Sequence, residues 1–249
     1  MLSQMNFYQN KQDDSIIKVK NVSRSFEENL ILKDISINLK KGEFVSILGP
    51  SGCGKSTLFN IITGIIKEDS GEVSVKGDLG YMQQKDLLLP WKTVMENVVL
   101  PLDIRGSNKR ESRERAVKYI EIVGLKGYEK KYPYELSGGM RQRASFLRTF
   151  LSSEEIMLLD EPFGALDSIT RGKMQRWILD MKQELKRSIL FVTHDIEEAI
   201  LLSDRIYVLS SKPGMIKKEI NVDFESENKK NRIFSKKLLE MKADILKLL

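Results

Sequence analysis

Two glycine-rich stretches, GPSGCGKS at residues 49–56 and LSGGMRQR at 136–143, have the composition of anion cradles, and each leads into a helical apolar pattern. The first satisfies G-x-x-x-x-G-K-[S/T], with the apolar run FVSILG before it and TLFNIITGI after it. Gly49, Gly52 and Gly54 let the backbone curl so that successive N–H groups converge on one point, and a helix starting there adds its positive end. The loop Gly49, Pro50, Ser51, Gly52, Cys53 and Gly54 is thus expected to wrap a nucleotide's phosphates. Lys55 is expected to reach the β- and γ-phosphates, the Ser56 hydroxyl to bind Mg²⁺, and Thr57 to meet the α-phosphate. Cys53 has two readings. A helix N-terminus lowers a thiol pKa and makes it reactive; alternatively it is a passive loop position that bound nucleotide shields.

Hydrolysis needs more than a cradle: a second metal contact, a group to orient or deprotonate water, and charge compensation at the γ-phosphate. IMLLDEP (156–162) supplies the first two, because its apolar run ends on Asp160 and Glu161 at a strand's carboxyl end, where α/β sheets hold their ligands. Asp160 is assigned to Mg²⁺ and Glu161 to general-base work on water. ILFVTHD (189–195) ends a second such run on His194, the sole histidine, expected to contact the γ-phosphate and hold the attacking water.

Elements able to position these residues are legible as patterns. IIKVKNV (16–22) and ILKDISINLK (31–40) alternate apolar and polar residues, as half-buried antiparallel strands do. FVSILG (44–49), IMLLD (156–160), ILFVT (189–193) and IYVLS (206–210) are apolar almost throughout, which fits strands covered on both faces of a mostly parallel sheet. Residues 92–155 are helical in pattern. Ala116, Ile120 and Val123 share a face that ends on Gly124 as a C-cap, and Met140, Ala144, Leu147 and Leu151 form a second stripe. The predicted fold class is α/β: a P-loop NTPase core of mostly parallel sheet with flanking helices, an N-terminal antiparallel β region and an inserted α-helical subdomain. Its expected parts are a tail over 1–15, a nucleotide-binding core over 16–87 and 156–220, a helical unit over 88–155 and a helical tail over 221–249. In that tail Phe234, Leu238, Met241, Ile245 and Leu248 recur at helical spacing, for packing on the core or for a dimer contact.

The 249 residues carry 41 basic and 35 acidic side chains, a net charge of +6. Only KKNRIFSKK (229–237) is densely basic and no aromatic-studded basic patch accompanies it, so nucleic acid is not an expected partner. No run of about 18 apolar residues occurs, so no span of a bilayer is expected. The first fifteen residues lack an apolar signal core, which argues against export. The single cysteine excludes an intrachain disulfide and suits a reducing cytoplasm.

Taken in order, these motifs resemble those of the nucleotide-binding subunits of ATP-binding cassette (ABC) transporters, from about Ile16 to Lys218. LSGGMRQR resembles the family's signature motif, LLDEP its Walker B strand, GALD (164–167) its D-loop, THD its switch histidine and YMQQKDLLLPW (81–91) its Q-loop. The resemblance implies ATP and Mg²⁺ as cofactors, Gln84 rather than Gln83 as the glutamine that senses metal and water, and Phe26 stacked on adenine, where it could otherwise be plain core. It further implies a head-to-tail pair of copies, in which Ser137, Gly138 and Gly139 cover the partner's γ-phosphate and Asp167 lies along the interface. The family's usual residue at position 140 is glutamine, whereas this chain has Met140. The implied membrane partner is a separate permease docking near Leu87, Leu88, Leu89, Pro90 and Trp91, residues that otherwise read as core of the helical unit. LLPW, FGALD and SKPGMI (211–216) look most like importers of nitrate, sulfonate, taurine or related compounds, which work with a separate solute-binding protein. The implied location is the cytoplasmic face of the membrane, peripheral. Two other readings compete: a soluble ABC ATPase acting on ribosomes or DNA, and a nucleotide-responsive module without turnover.

Overall fold

The structure, a computed structural model, describes residues 14–224 and 235–249. It contains two sheets. β1 (Ser15–Phe26) pairs antiparallel with β2 (Asn29–Lys40) and with β4 (Ser70–Val75), giving the order β2-β1-β4. The larger sheet combines β3 (Phe44–Leu48), β5 (Leu79–Met82), β6 (Ile156–Asp160), β7 (Ser188–Thr193), β8 (Arg205–Leu209) and β9 (Ile216–Asn221). Its order is β5-β6-β7-β3-β8-β9, parallel except for β9 at the edge. Every residue of β3, β6, β7 and β8 is buried, as the unbroken apolar runs require, whereas β1 and β2 alternate.

The parallel register matters for function. Met82 pairs with Leu159, Asp160 with Val192, and Leu48 with Thr193, so β5, β6, β7 and β3 finish along one edge. The residues that follow those strands therefore gather there.

Seven α-helices complete the described residues: α1 (Lys55–Ile62), α2 (Val94–Ile104), α3 (Lys109–Ile120), α4 (Gly138–Ser152), α5 (Ser168–Leu185), α6 (Ile196–Leu202) and α7 (Lys236–Leu246). α2 starts with a reciprocal capping box between Thr93 and Glu96. After α3 the N–H groups of Leu125 and Gly124 close on the carbonyls of Ile120 and Glu121, with Gly124 at φ 66°. That is the glycine C-cap expected at position 124. α4 begins at Gly138, and Ser137 caps it from outside by accepting the Met140 N–H.

Three apolar clusters hold these layers together. One joins α2, α3, α4 and α5 to the sheet, with edge-on ring contacts such as Phe44–Phe191 between strands and Phe146–Trp177 between α4 and α5. A second fills the space between the antiparallel sheet, α1 and the parallel sheet. In the third, Leu238 and Ile245 of α7 are buried against α6 and β8, with Met241 and Leu248 packed beside them. The stripe on α7 thus packs on the core. Its expected first member, Phe234, lies outside the described residues, as do positions 229–234 of the basic patch and 1–13 of the N-terminal tail.

The two sheets are tied by a buried cation. Arg205 of β8 donates to Glu43 at 2.9 and 3.0 Å, to Glu219 at 2.8 Å and to the Asn38 carbonyl of β2 at 2.9 Å. Burial disfavours the guanidinium charge, but the two glutamates outweigh it and hold its pKa above the ordinary arginine value. Removing one member of such a set strands the others. Arg205→Ala is expected to cost on the order of 3 kcal/mol, seen as a fall in Tm of about 10 °C by calorimetry. A change within about 1 °C would show that the tie contributes nothing.

Candidate nucleotide site and the loops around it

β3 delivers the chain to a loop whose glycines are required by space or by a left-handed backbone. Gly54 sits at φ 101°, and a Cβ there would lie 2.6 Å from Leu32 Cδ2. Gly52, at φ 80°, has nothing within 4 Å of where a Cβ would be, so this part of the loop is open. α1 then starts at Lys55 with Gly54 as its N-cap, no side-chain cap and no acidic residue in its first turn. Its leading N–H groups and dipole are left for an outside anion. They adjoin a cavity of about 430 Å³ lined by Phe26, Ile31, Ser51, Gly52, Gly54 to Thr57, Gln84 and Glu161. The cradle fits a phosphate chain on these grounds.

Lys55 is 5% exposed, and its ammonium donates to the carbonyls of Gly49 at 2.7 Å and Pro50 at 2.9 Å. The lysine therefore braces the loop from inside. Cys53 is 1% exposed and packs among the apolar residues of the second cluster. Burial pushes its thiol pKa up, against the smaller opposing pull of the Lys55 charge. This corrects the reactive reading: protein covers the thiol, and desolvation outweighs the helix terminus. Phe26 is 41% exposed, with the Arg24 guanidinium 4.9 Å from its ring centroid. It lines the cavity and is not core.

At the same sheet edge Asp160 is 2% exposed. Burial raises its pKa, the Glu161 charge adds to this, and the nearby Ser56 hydroxyl and Lys55 charge only partly offset it. Glu161 takes a left-handed φ of 48°, fixed in part by its N–H bond to Val192 O at 3.0 Å. That turn brings its carboxylate between two partners. Gln84 Nε2 donates to one oxygen at 3.3 Å, and His194 Nδ1 lies 3.2 Å from the other. Gln84, and not Gln83, makes this contact. Among the described residues no group of three or more histidine, cysteine or acidic side chains could hold a metal unaided. Ser56, Asp160 and Gln84 suit a hard cation that takes its remaining oxygens from phosphate and water.

The second glycine-rich stretch lies outside the α1 cavity, although Gly138 lines a neighbouring cavity of about 620 Å³ with Gln84, Glu161 and His194. Ser137 and Gly138 are exposed, and none of Ser137, Gly138, Gly139 or Asp167 lines the α1 cavity. Asp167 caps α5 by accepting the Thr170 N–H at 3.0 Å, a bond that holds its carboxyl below the ordinary range. Met140 packs its side chain on the helical cluster.

The stretch after Gln84 divides. Leu88 is 8% exposed and belongs to the helical cluster, whereas Leu87 is 49% and Trp91 71% exposed. Leu88 is therefore core and not part of an outer surface. Three residues of this region escaped sequence reading. Buried Asn97 bonds the N–H and C=O of Leu89 and the carbonyls of Lys92 and Thr93. Arg148 donates to the carbonyls of Asp86 and Leu87 at 2.7 and 2.8 Å. Arg141 pairs with Asp86 at 3.1 Å. The one signal that would have found Arg141 and Arg148 is their placement seven residues apart on one face of α4.

Residues 32–164 match the profile of the family described as ABC transporter. The chain is 44% identical over 223 residues to the formylaminopyrimidine import ATP-binding protein ThiZ of Halalkalibacterium halodurans, covering 88% of this chain and 90% of that protein. It is 40% identical over 227 residues to the aliphatic sulfonates import ATP-binding protein SsuB of Bacillus cereus, covering 86% and 89%. In three dimensions it is similar to the dimeric MJ0796, described as a bacterial ABC transporter cassette, with a TM-score of 0.76 and 34% identity, covering 84% of this chain and 100% of that one. The same cassette is also known as a dimer in a post-hydrolysis state bound to ADP and Pi. This chain belongs to the ABC transporter family.

Asp160 also carries a stability consequence. Since its folded-state pKa is raised, the folded chain holds its proton more tightly than the unfolded one. The group therefore costs stability increasingly as pH rises above the ordinary aspartate range. Asp160→Asn is expected to raise the Tm of the nucleotide-free protein at pH 7, the gain shrinking as pH approaches about 4. The same change should abolish the Mg²⁺ dependence of ATP affinity. A lower Tm with unchanged Mg²⁺ dependence would remove Asp160 from the metal site.

Proposed function

We propose that this chain is the ATP-hydrolysing subunit of an importer, energising the uptake of a small solute through a separate membrane permease. The observation that carries this reading is the contact set Gln84–Glu161–His194 beside the α1 cradle. Cradle alone would support binding; a carboxylate held between an amide and an imidazole next to it supports turnover.

Each role follows from position. The first-turn amides of α1, with Lys55, Ser56 and Thr57, bind the phosphates, and Phe26 offers its exposed ring to the adenine. Ser56, Asp160 and Gln84 would hold Mg²⁺, which supplies compensation for charge developing on the phosphate oxygens. Glu161 accepts a proton from the attacking water, and His194 orients that water from the other side of the carboxylate. Residues 16–87 and 156–220 act as the nucleotide-binding unit, 88–155 as the helical unit and 221–249 as the tail.

Two copies pair head to tail, so that Ser137, Gly138 and Gly139 of one complete the site of the other. What supports this arrangement is that Ser137, Gly138 and Gly139 do not line the α1 cavity of their own chain, together with the dimeric form of the similar cassette. A permease segment docks on the exposed Leu87, Trp91 and Tyr134, the last 76% exposed and stacked on Tyr132. No described helix is long and apolar enough to cross a membrane. We place the working complex at the cytoplasmic face of the membrane, fed by a solute-binding protein. The solute is a small organic or oxyanion compound of the kind named for the relatives, a formylaminopyrimidine or an aliphatic sulfonate.

Glu161→Gln tests the catalytic assignment: phosphate release should fall about 10²-fold or more while ATP affinity changes less than about two-fold. Equal losses of both would remove Glu161 from the chemistry. Trp91→Glu tests the docking surface in membranes: solute uptake should be lost while the basal ATPase of the isolated chain persists. Collapse of that basal activity would make Trp91 a folding residue.

A further inference from the structure

Gln142 is a polar side chain in a buried place. It lies on α4, one and a half turns beyond Ser137, and is 6% exposed. Its amide makes two bonds to one loop: Nε2 donates to the Glu161 carbonyl at 2.9 Å, and Oε1 accepts the Ala165 N–H at 2.8 Å. The two partners fix the orientation of the amide, since one can only accept and the other only donate.

The loop so gripped is the one that sets the general base. Glu161 holds a left-handed φ of 48° that a side-chain-bearing residue rarely adopts, and its carbonyl also accepts the Gly164 N–H at 3.2 Å. A second contact arises at the tip of α4, where a Cβ on Gly139 would lie 3.1 Å from the Ala165 carbonyl and 3.3 Å from Leu166 Cδ2. The helix therefore rests on this loop at two levels, by close backbone approach at Gly139 and by hydrogen bonds at Gln142. About 7 Å of rigid helix axis separates Gln142 from Ser137.

We propose that Gln142 is a positioning residue that couples the two nucleotide sites of the pair. The inference rests on the head-to-tail reading above: the tip of α4 covers the partner's nucleotide, while Glu161 acts on the nucleotide of its own chain. A shift of α4 on engaging the partner's phosphates moves Gln142, and through it the backbone that aims Glu161. Hydrolysis at one site then depends on closure at the other.

The full chain carrying Gln142→Met, which keeps the side-chain length without either bond, tests this in basal ATPase assays. Expected are a kcat at least about 10-fold lower, ATP half-saturation within about two-fold of the parent, and a Hill coefficient falling from above 1 toward 1. Gln142→Glu provides a second variant that keeps an acceptor for Ala165 but loses the donor to Glu161. It is expected to show the same kcat defect, with a melting transition that shows the variant to be folded. Unaltered kcat and Hill coefficient in either folded variant would overturn the inference, as would ATP affinity falling in step with kcat. If the parent chain itself released no phosphate, the functional reading would fail instead, so the two failures are distinguishable.

Discussion

The first turn of α1 sets the terms for everything around it. Its cap is a glycine, no carboxylate follows, and its leading amides face a cavity with no protein group built to satisfy them. A helix end left this way carries about half a positive charge and several free donors. An anion stabilises it, and the cavity's other walls are arranged for what a phosphate anion needs next. Asp160 and Ser56 are the residues proposed for a cation, and Glu161 the one proposed for a water. That grouping is possible because four parallel strands end at one edge, which brings segments from residues 49, 84, 161 and 194 together.

α4 is the second organising element, and its importance lies in what it holds at once. Its exposed tip carries the serine and the two glycines. A turn and a half on, Gln142 grips the loop that carries Glu161, the proposed general base. Arg141 and Arg148 hold Asp86 and Leu87, which lie between Gln84, bonded to Glu161, and the exposed Trp91. One rigid helix thus touches the residues proposed to meet the partner's nucleotide, the base and the permease. A machine driven by nucleotide needs such a shared part, because binding can do work only where two arrangements differ in affinity.

Much of this was legible in the sequence, and the exceptions have physical reasons. The buried strands declared themselves because a parallel sheet covered on both faces tolerates almost no polar residue. The phosphate loop and the two carboxylates were legible because their chemistry dictates residue type and spacing. Cys53 left two readings open, since the helix-terminus rule holds for an exposed thiol and says nothing about whether neighbours bury it. Leu88 and Trp91 lie three residues apart in one apolar run, yet a left-handed Leu87 and the turn held by Asn97 send one inward and the other out. Gln142 and Arg148 escaped because they bond to backbone atoms, and Arg141 because its partner Asp86 lies 55 residues away; the sequence gives the two arginines a shared helix face but not those partners. Short edge strands such as β5, four residues long, carry too little periodicity to be seen.

The central claim is that the cradle of one copy faces the α4 tip of another. It is tested most directly by mixing two forms of the chain, both carrying Cys53→Ala and Glu161→Gln. One form has Ser51→Cys and the other Ser137→Cys, each at an exposed position. The account predicts that Mg-ATP followed by mild oxidation yields disulfides between the unlike forms and few between like ones. Cross-links of like forms in equal yield, or a yield indifferent to ATP, would contradict it.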